Sequence, residues 1–159
     1  MVSISLSVRS IGFVTEQGVE IPARRLFAAA NFVGRRGRRI PMPSFLDTGA
    51  PYSVIPFGLA SRIQWNDVGH QATLPGRKSQ KLEWFGVPCH MGVAQVELID
   101  LERRIRTHPL RVLAKVLSRA APAALEQLAV LGMSFPTDNS IRFELDSTGT
   151  RLSGVLWIP

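Results

Sequence analysis

Residues 45–56, FLDTGAPYSVIP, decide how the rest of the chain is read. An apolar pair, Phe45-Leu46, leads into Asp47. Thr48-Gly49-Ala50 and Pro51-Tyr52 follow, and then a second apolar run from Ser53 to Ile55. Two short apolar runs bounded by turn residues read as two buried strands, with the carboxylate on the turn between them. Gly49 lets the backbone approach a neighbour or a substrate closely, and the Thr48 hydroxyl can lock the turn. A strand-end Asx turn would account for Asp47 on structural grounds alone. A reacting centre asks for more. One carboxylate offers a base or an acid but not both, whereas two held about 3 Å apart cannot both ionise and so share one proton. Such a dyad titrates as a pair, and its members act as base and acid in one step.

The surroundings read as strands separated by turns. Residues 2–8 alternate Ser with Val, Ile and Leu, the pattern of a half-buried strand and not of a signal peptide. Residues 18–32 carry short apolar groups and read as strand or extended chain. Residues 34–41, GRRGRRIP, read as a loop, and 40–46 as an edge strand or extended approach because of Pro41 and Pro43. Pro56 suits the first turn of a short helix. Residues 66–86 are polar and read as a long hairpin or loop. Residues 87–99 and 110–117 read as strands joined by a charged connection at 101–108. Alanine-rich 120–128 suits a turn of helix, and 141–145 with 152–158 form a hairpin around a turn at 147–150. The expected fold class is all-β, sandwich or barrel, with one or two short helices in a single domain over residues 1–159.

Composition narrows the setting. The chain has 159 residues, enough for a real core. No apolar run reaches the roughly 18 residues that span a bilayer, so no membrane partner is expected. One cysteine, Cys89, excludes an internal disulfide and fits a cytoplasmic location. The net charge is +7, and 16 of the 19 basic residues are arginine. The charge is spread along the chain, and GRRGRR has no aromatic residue interleaved for base stacking, so a mobile, solvated basic loop is expected there. A basic nucleic-acid-binding β-domain is the lesser reading. Cys89 and His90 adjoin on a strand and point to opposite faces, while His70 and His108 are distant in sequence. No metal site is expected from that spacing, and nothing marks a base beside Cys89.

FLDTGAPYSVIP resembles the active-site segment of retropepsin-like aspartic proteases: two apolar residues, Asp-Thr-Gly-Ala, two variable residues, Ser, then two apolar residues. A second element of that family, two apolar residues and a glycine before a short helix, is matched by Val130-Leu131-Gly132 and MSFP after it. Asp-Thr-Gly alone turns up by chance in roughly a few per cent of chains this long. The flanking pairs, Ala50, Ser53 and the downstream element in order make the match far more specific. Residues 1–38 and 99–128 lie outside it. The resemblance implies a closed, barrel-like acid-protease fold and an aspartic endopeptidase, a hydrolase without cofactor, acting on extended polypeptide. Two-lobed pepsins carry two such motifs in one chain. Here Asp146-Ser147-Thr148-Gly149 has its glycine one place late and reads as a turn, so the second carboxylate must come from a second copy in a homodimer.

The resemblance also assigns roles. Asp47 is the catalytic acid/base, Thr48 braces the loops across the dimer axis, and Gly49 accepts substrate backbone. Ala50 and Ser53 support the loop, and Val130, Leu131 and Gly132 form the base of the site. A hairpin flap is expected between residues 69 and 88, with its tip at LPGRK or at Trp84-Phe85-Gly86. Many viral relatives place Asp after the Ala and Arg after the downstream Gly, and these pair. Here Pro51 and Met133 stand there, so both halves of the pair are missing together. A non-catalytic peptide- or protein-binding module on the same fold is the alternative.

Overall fold

The computed structural model describes residues 1–73, 75–148 and 151–159. The chain is mostly β-sheet with few, short helices. Strand β1 (Val2–Val14) runs well past the expected 2–8 and pairs with β2 (Glu20–Val33) from Ser7↔Phe27 to Val14↔Glu20. The GRRGRR stretch is a 3-10 turn at Arg35–Gly37 followed by β3 (Arg39–Pro41), an edge strand that pairs with β2. Strand β4 (Ser44–Leu46) is not an edge: it lies between β2 and a later strand, with Pro43 placed just before it. After β5 (Ser53–Ile55) comes helix α1 (Phe57–Ala60), entered through Pro56 as the sequence suggests.

Residues 66–86 hold more structure than a polar loop. Strand β6 (Trp65–Gly69) precedes a small hairpin of β7 (Gln71–Ala72) and β8 (Gln80–Lys81), and β9 (Glu83–Trp84) follows. Leu74, the first residue of the LPGRK tip, lies outside the described residues. Strand β10 (Val87–Asp100) is long enough to serve five partners, β9, β6, β2, β11 (Ile105–Arg106) and β12 (Leu110–Leu117). Helix α2 (Ala123–Glu126), β13 (Ala129–Leu131) and helix α3 (Ser134–Asp138) come next. That makes three short helices where one or two were expected. The hairpin of β14 (Arg142–Thr148) and β15 (Arg151–Ile158) docks on β1 through β15. Asp146, Ser147 and Thr148 are strand here, not turn. Gly149 and Thr150, the end of the expected turn, lie outside the described residues.

The pairings return to their starting point, from β2 to β10, β12, β5, β13, β4 and back to β2. Inside this ring lie Phe32, Ile55, Val96, Val112, Leu131 and Phe135, all fully buried. Outside it a second apolar layer joins Val54, Val87, Cys89, Leu117 and Val130. Strands β5 and β13 are therefore covered on both faces. That explains why Ser53-Val54-Ile55 and Ala129-Val130-Leu131 are continuous buried runs and not alternating ones.

Candidate active site

Strand β13 lies between β4 and β5, parallel to the first and antiparallel to the second. The loop joining β4 to β5, residues 47–52, must therefore cross the end of β13. The crossing is made by hydrogen bonds. The Asp47 N–H donates to the Leu131 carbonyl at 3.0 Å, and the Met133 and Ser134 N–H groups donate to Ala50 and Pro51 carbonyls at 2.8 and 2.9 Å. The Gly132 N–H donates to the fully buried Ser53 Oγ at 3.2 Å. No side chain fits at residue 132. A Cβ there would lie 2.5 Å from the Tyr52 carbonyl carbon and 2.7 Å from the Ala50 carbonyl oxygen. The two motifs picked out in sequence are thus in direct contact, and Gly132 is the point of closest approach.

Within the loop, Asp47 Oδ1 accepts the Gly49 N–H at 2.9 Å, and the Asp47 carbonyl accepts the Ala50 N–H at 3.2 Å. The second oxygen, Oδ2, has no hydrogen-bond partner among the described residues. Asp47 is half-buried, and Thr48 and Gly49 are exposed. The carboxylate borders a cleft of about 530 Å³ walled by Ala50, Tyr52, Val54, Trp84 and Phe85, with Glu83 and Lys115 also at its edge.

The Trp84-Phe85-Gly86 turn thus faces Asp47 across this cleft. Phe85 and Gly86 have φ of 46° and 73° between the paired residues Trp84 and Val87, the two-residue hairpin turn that fits strand twist. The Phe85 ring is exposed and meets Trp84 edge-on at 5.0 Å. Three side chains tie the hairpin to the end of β12 and beyond. Lys115 Nζ donates to the Glu83 carbonyl at 3.0 Å, Ser118 Oγ to Pro88 at 2.6 Å, and Arg119 Nη2 to Gly86 at 3.4 Å. This turn is a tethered wall of the cleft. On the other side of Thr48 a second groove of about 430 Å³ is lined by Leu46, Met133, Pro136, Ile141 and Phe143. Met133 is exposed there, and none of the described residues that line the groove is charged.

Three features escaped the sequence. Pairing of β6 with β10 brings His70 and His90 together, with ring centroids 5.4 Å apart, and His90 Nδ1 lies 2.8 Å from Asp67 Oδ2. The His90 contact and the Gly69 N–H hold the Asp67 carboxyl below its usual range. Among the described residues, no three such groups are placed to hold a metal ion. Cys89 is buried on the opposite face, and burial pushes its thiol up, away from the reactive thiolate. Glu126 accepts N–H groups from Gly58 and Ala121 at 2.9 Å, closing the start of α1 against α2. Arg39, read as part of a mobile loop, is fixed by a fork of contacts to the buried Glu97. No helix among the described residues is long and apolar enough to cross a membrane.

Comparison with protein-family models, with curated proteins and with solved structures returns no match.

Proposed function

We propose that the chain is an aspartic endopeptidase with a closed, barrel-like retropepsin-type fold, active as a homodimer. Two Asp47 carboxylates, one from each copy, share a proton near the two-fold axis. The ionised one takes a proton from water, and the protonated one donates to the carbonyl oxygen of an extended polypeptide. Attack by that water gives a tetrahedral gem-diol, with no covalent intermediate. No metal or organic cofactor takes part, and the setting is a reducing cytoplasm. The observation that carries the reading is the clamp of the 47–52 loop over Gly132, with one Asp47 oxygen at the border of a cleft and without a hydrogen-bond partner among the described residues.

The test uses purified chain at sizes confirmed by sedimentation. The reading expects a dimer, cleavage of a peptide library at mildly acidic pH, and abolition of cleavage by Asp47→Asn with the same thermal midpoint. If confirmed dimers of both proteins are equally inert from about pH 3 to 8, the peptidase reading fails. The cleft is then a peptide- or protein-binding groove.

A further inference from the structure

A pocket of about 380 Å³ lies between helix α1, the end of β12 and the paired strands β6 and β10. It shares no lining residue with the Asp47 cleft. Phe57, Trp65, Val116 and Leu117 give it apolar walls, and His90 stands at it as the titratable group. The Trp65 and His90 rings meet edge-on with centroids 6.5 Å apart. Gly92, inside strand β10, makes this arrangement possible. A Cβ there would lie 2.5 Å from Trp65 Cε3 and 2.8 Å from Val116 Cγ2, so the indole rests against the strand only because residue 92 has no side chain. Glycine within a strand weakens it and marks a close approach.

The imidazole and the two hydroxyls at this pocket have committed their protons elsewhere. His90 Nδ1 lies 2.8 Å from Asp67 Oδ2, and Asp67 Oδ1 accepts the Gly69 N–H at 2.8 Å. The His90 contact and the Gly69 N–H hold the Asp67 carboxyl below its usual range, so it stays an acceptor. Nδ1 therefore carries the proton of that bond, and the bond at one ring nitrogen sets the state of the other. In the neutral ring Nε2 keeps a lone pair, and it has no hydrogen-bond partner among the described residues. Ser61 Oγ donates to the Gly58 carbonyl at 3.0 Å, and Ser118 Oγ to the Pro88 carbonyl at 2.6 Å. Each hydroxyl is then left with lone pairs to offer.

We propose that this pocket binds a small neutral phenol, its ring against Phe57 and Trp65 and its hydroxyl donating to His90 Nε2. The class follows from walls and acceptors together. A flat ring makes edge and offset contacts with aromatic side chains. A ligand without a donor leaves Nε2 unpaired, and the Asp67 carboxylate beside His90 disfavours an anion. The volume falls at the small end of ligand pockets, about 300–1,000 Å³, and so suits a compact ring system. This inference does not depend on the peptidase reading.

The experiment is titration calorimetry of the full chain at about pH 7.5, where free imidazole is mostly neutral. The probes are 2-naphthol, its methyl ether, 2-naphthoate and N-acetyltyrosinamide. 2-Naphthol should bind at least about tenfold more tightly than the ether, which has no donor for Nε2. His90→Phe should bring that ratio close to one. Asp67→Asn, at an exposed position, is the second probe; it releases the fixed tautomer and should also lower the ratio. Phe57→Ser should weaken 2-naphthol and the ether alike. Phe85→Ser, in the wall of the Asp47 cleft, should bind 2-naphthol as the parent does. The proposal fails if the parent does not bind 2-naphthol below about 1 mM, or if the ether or 2-naphthoate binds as tightly. It fails if N-acetyltyrosinamide binds more tightly, since the ligand is then a tyrosine side chain and not a free phenol. It also fails if both His90→Phe and Asp67→Asn keep the parent's ratio, or if Phe85→Ser loses binding while Phe57→Ser keeps it.

Discussion

Gly132→Ala tests the interlock on which the site is built. The added Cβ would meet the Tyr52 carbonyl carbon at 2.5 Å and the Ala50 carbonyl oxygen at 2.7 Å, where real Cβ atoms essentially never come within 3.0 Å. Both neighbours are backbone, so no side chain can swing aside. The 47–52 loop must lift by about half an ångström or more, and overpacking of this kind costs about 1–3 kcal/mol. The lift also stretches the bonds from Met133 to Ala50 and from Ser134 to Pro51, each worth about 1 kcal/mol net. The combined loss is about 3 kcal/mol, which in a chain of this size lowers the thermal midpoint by roughly 6–12 °C. The chain should stay folded at 25 °C, because stabilities of about 5–15 kcal/mol are usual. Peptide cleavage, if the proposed chemistry holds, should fall about a hundredfold, since misplacing a reacting group by about 1 Å has that effect. Differential scanning calorimetry and a peptide-cleavage assay read the two consequences separately. A midpoint within about 2 °C of the parent would refute the close crossing at Gly132, whatever the activity.

Other substitutions probe neighbouring parts of the argument. Backbone N–H donors, Arg103 first, hold the Asp100 carboxyl below its ordinary range. Its contribution is therefore complete above the unfolded value near pH 3.9 and is lost as pH falls through the lower folded value. Asp100→Asn should lower the midpoint by about 3 °C at pH 7, and calorimetry at falling pH should show the gap to the parent closing only below the unfolded value. Phe85→Asn should raise the urea midpoint, by about 0.5 kcal/mol in stability, because asparagine suits φ of 46° and the exposed ring gives up little. A lower midpoint would mean that the Trp84 contact outweighs the strain. Glu97→Gln should cost about 2–3 kcal/mol in guanidinium denaturation. That is below the about 3–5 kcal/mol of a broken buried pair, since the charges left behind, on Arg39 and Arg106, are exposed enough to rehydrate.

The strand-rich character was legible because it is a local pattern. The alternation at the start of β1 and the continuous runs on β5 and β13 reflect which faces are covered. The adjacency of Asp47 and Gly132 came from two motifs read together, and the physical reason, a loop crossing the end of a strand, needed the pairing order. What stayed hidden was non-local. Nothing near Glu97 announces that it will gather Arg39 and Arg106, and nothing near His90 announces His70 or Asp67. The polar stretch 66–86 looked like a loop because β6, β7, β8 and β9 bury almost nothing, and only pairing with β10 or with each other makes them strands. Helix α2 falls within alanine-rich 120–128, read as a turn of helix, but what docks it did not show. It is four residues long, and its Glu126 takes its partners from α1 and from residue 121.

Three aspartates here accept an N–H from two residues on, and the comparison among them bears on whether Asp47 is a turn residue or a reacting one. Asp67 accepts from Gly69 at 2.8 Å, and its other oxygen is occupied by His90. Asp100 accepts from Glu102, Arg103 and Ser5 and is buried, with both oxygens used. Each is fully explained by the turn it holds. Asp47 makes the same contact with Gly49, yet its second oxygen has no partner among the described residues and the group borders a cleft. An Asx turn needs one side-chain acceptor and tolerates a flexible surface loop. This loop is instead fixed by three backbone bonds to Leu131, Met133 and Ser134, with a fourth from Gly132 to Ser53 at the start of β5, over a glycine whose place a Cβ would crowd. Such fixing exceeds what a turn requires, and it is what a carboxylate needs if its proton is to be shared with an identical group about 3 Å away. The excess of structure around Asp47, relative to Asp67 and Asp100, is the physical ground for preferring the catalytic reading.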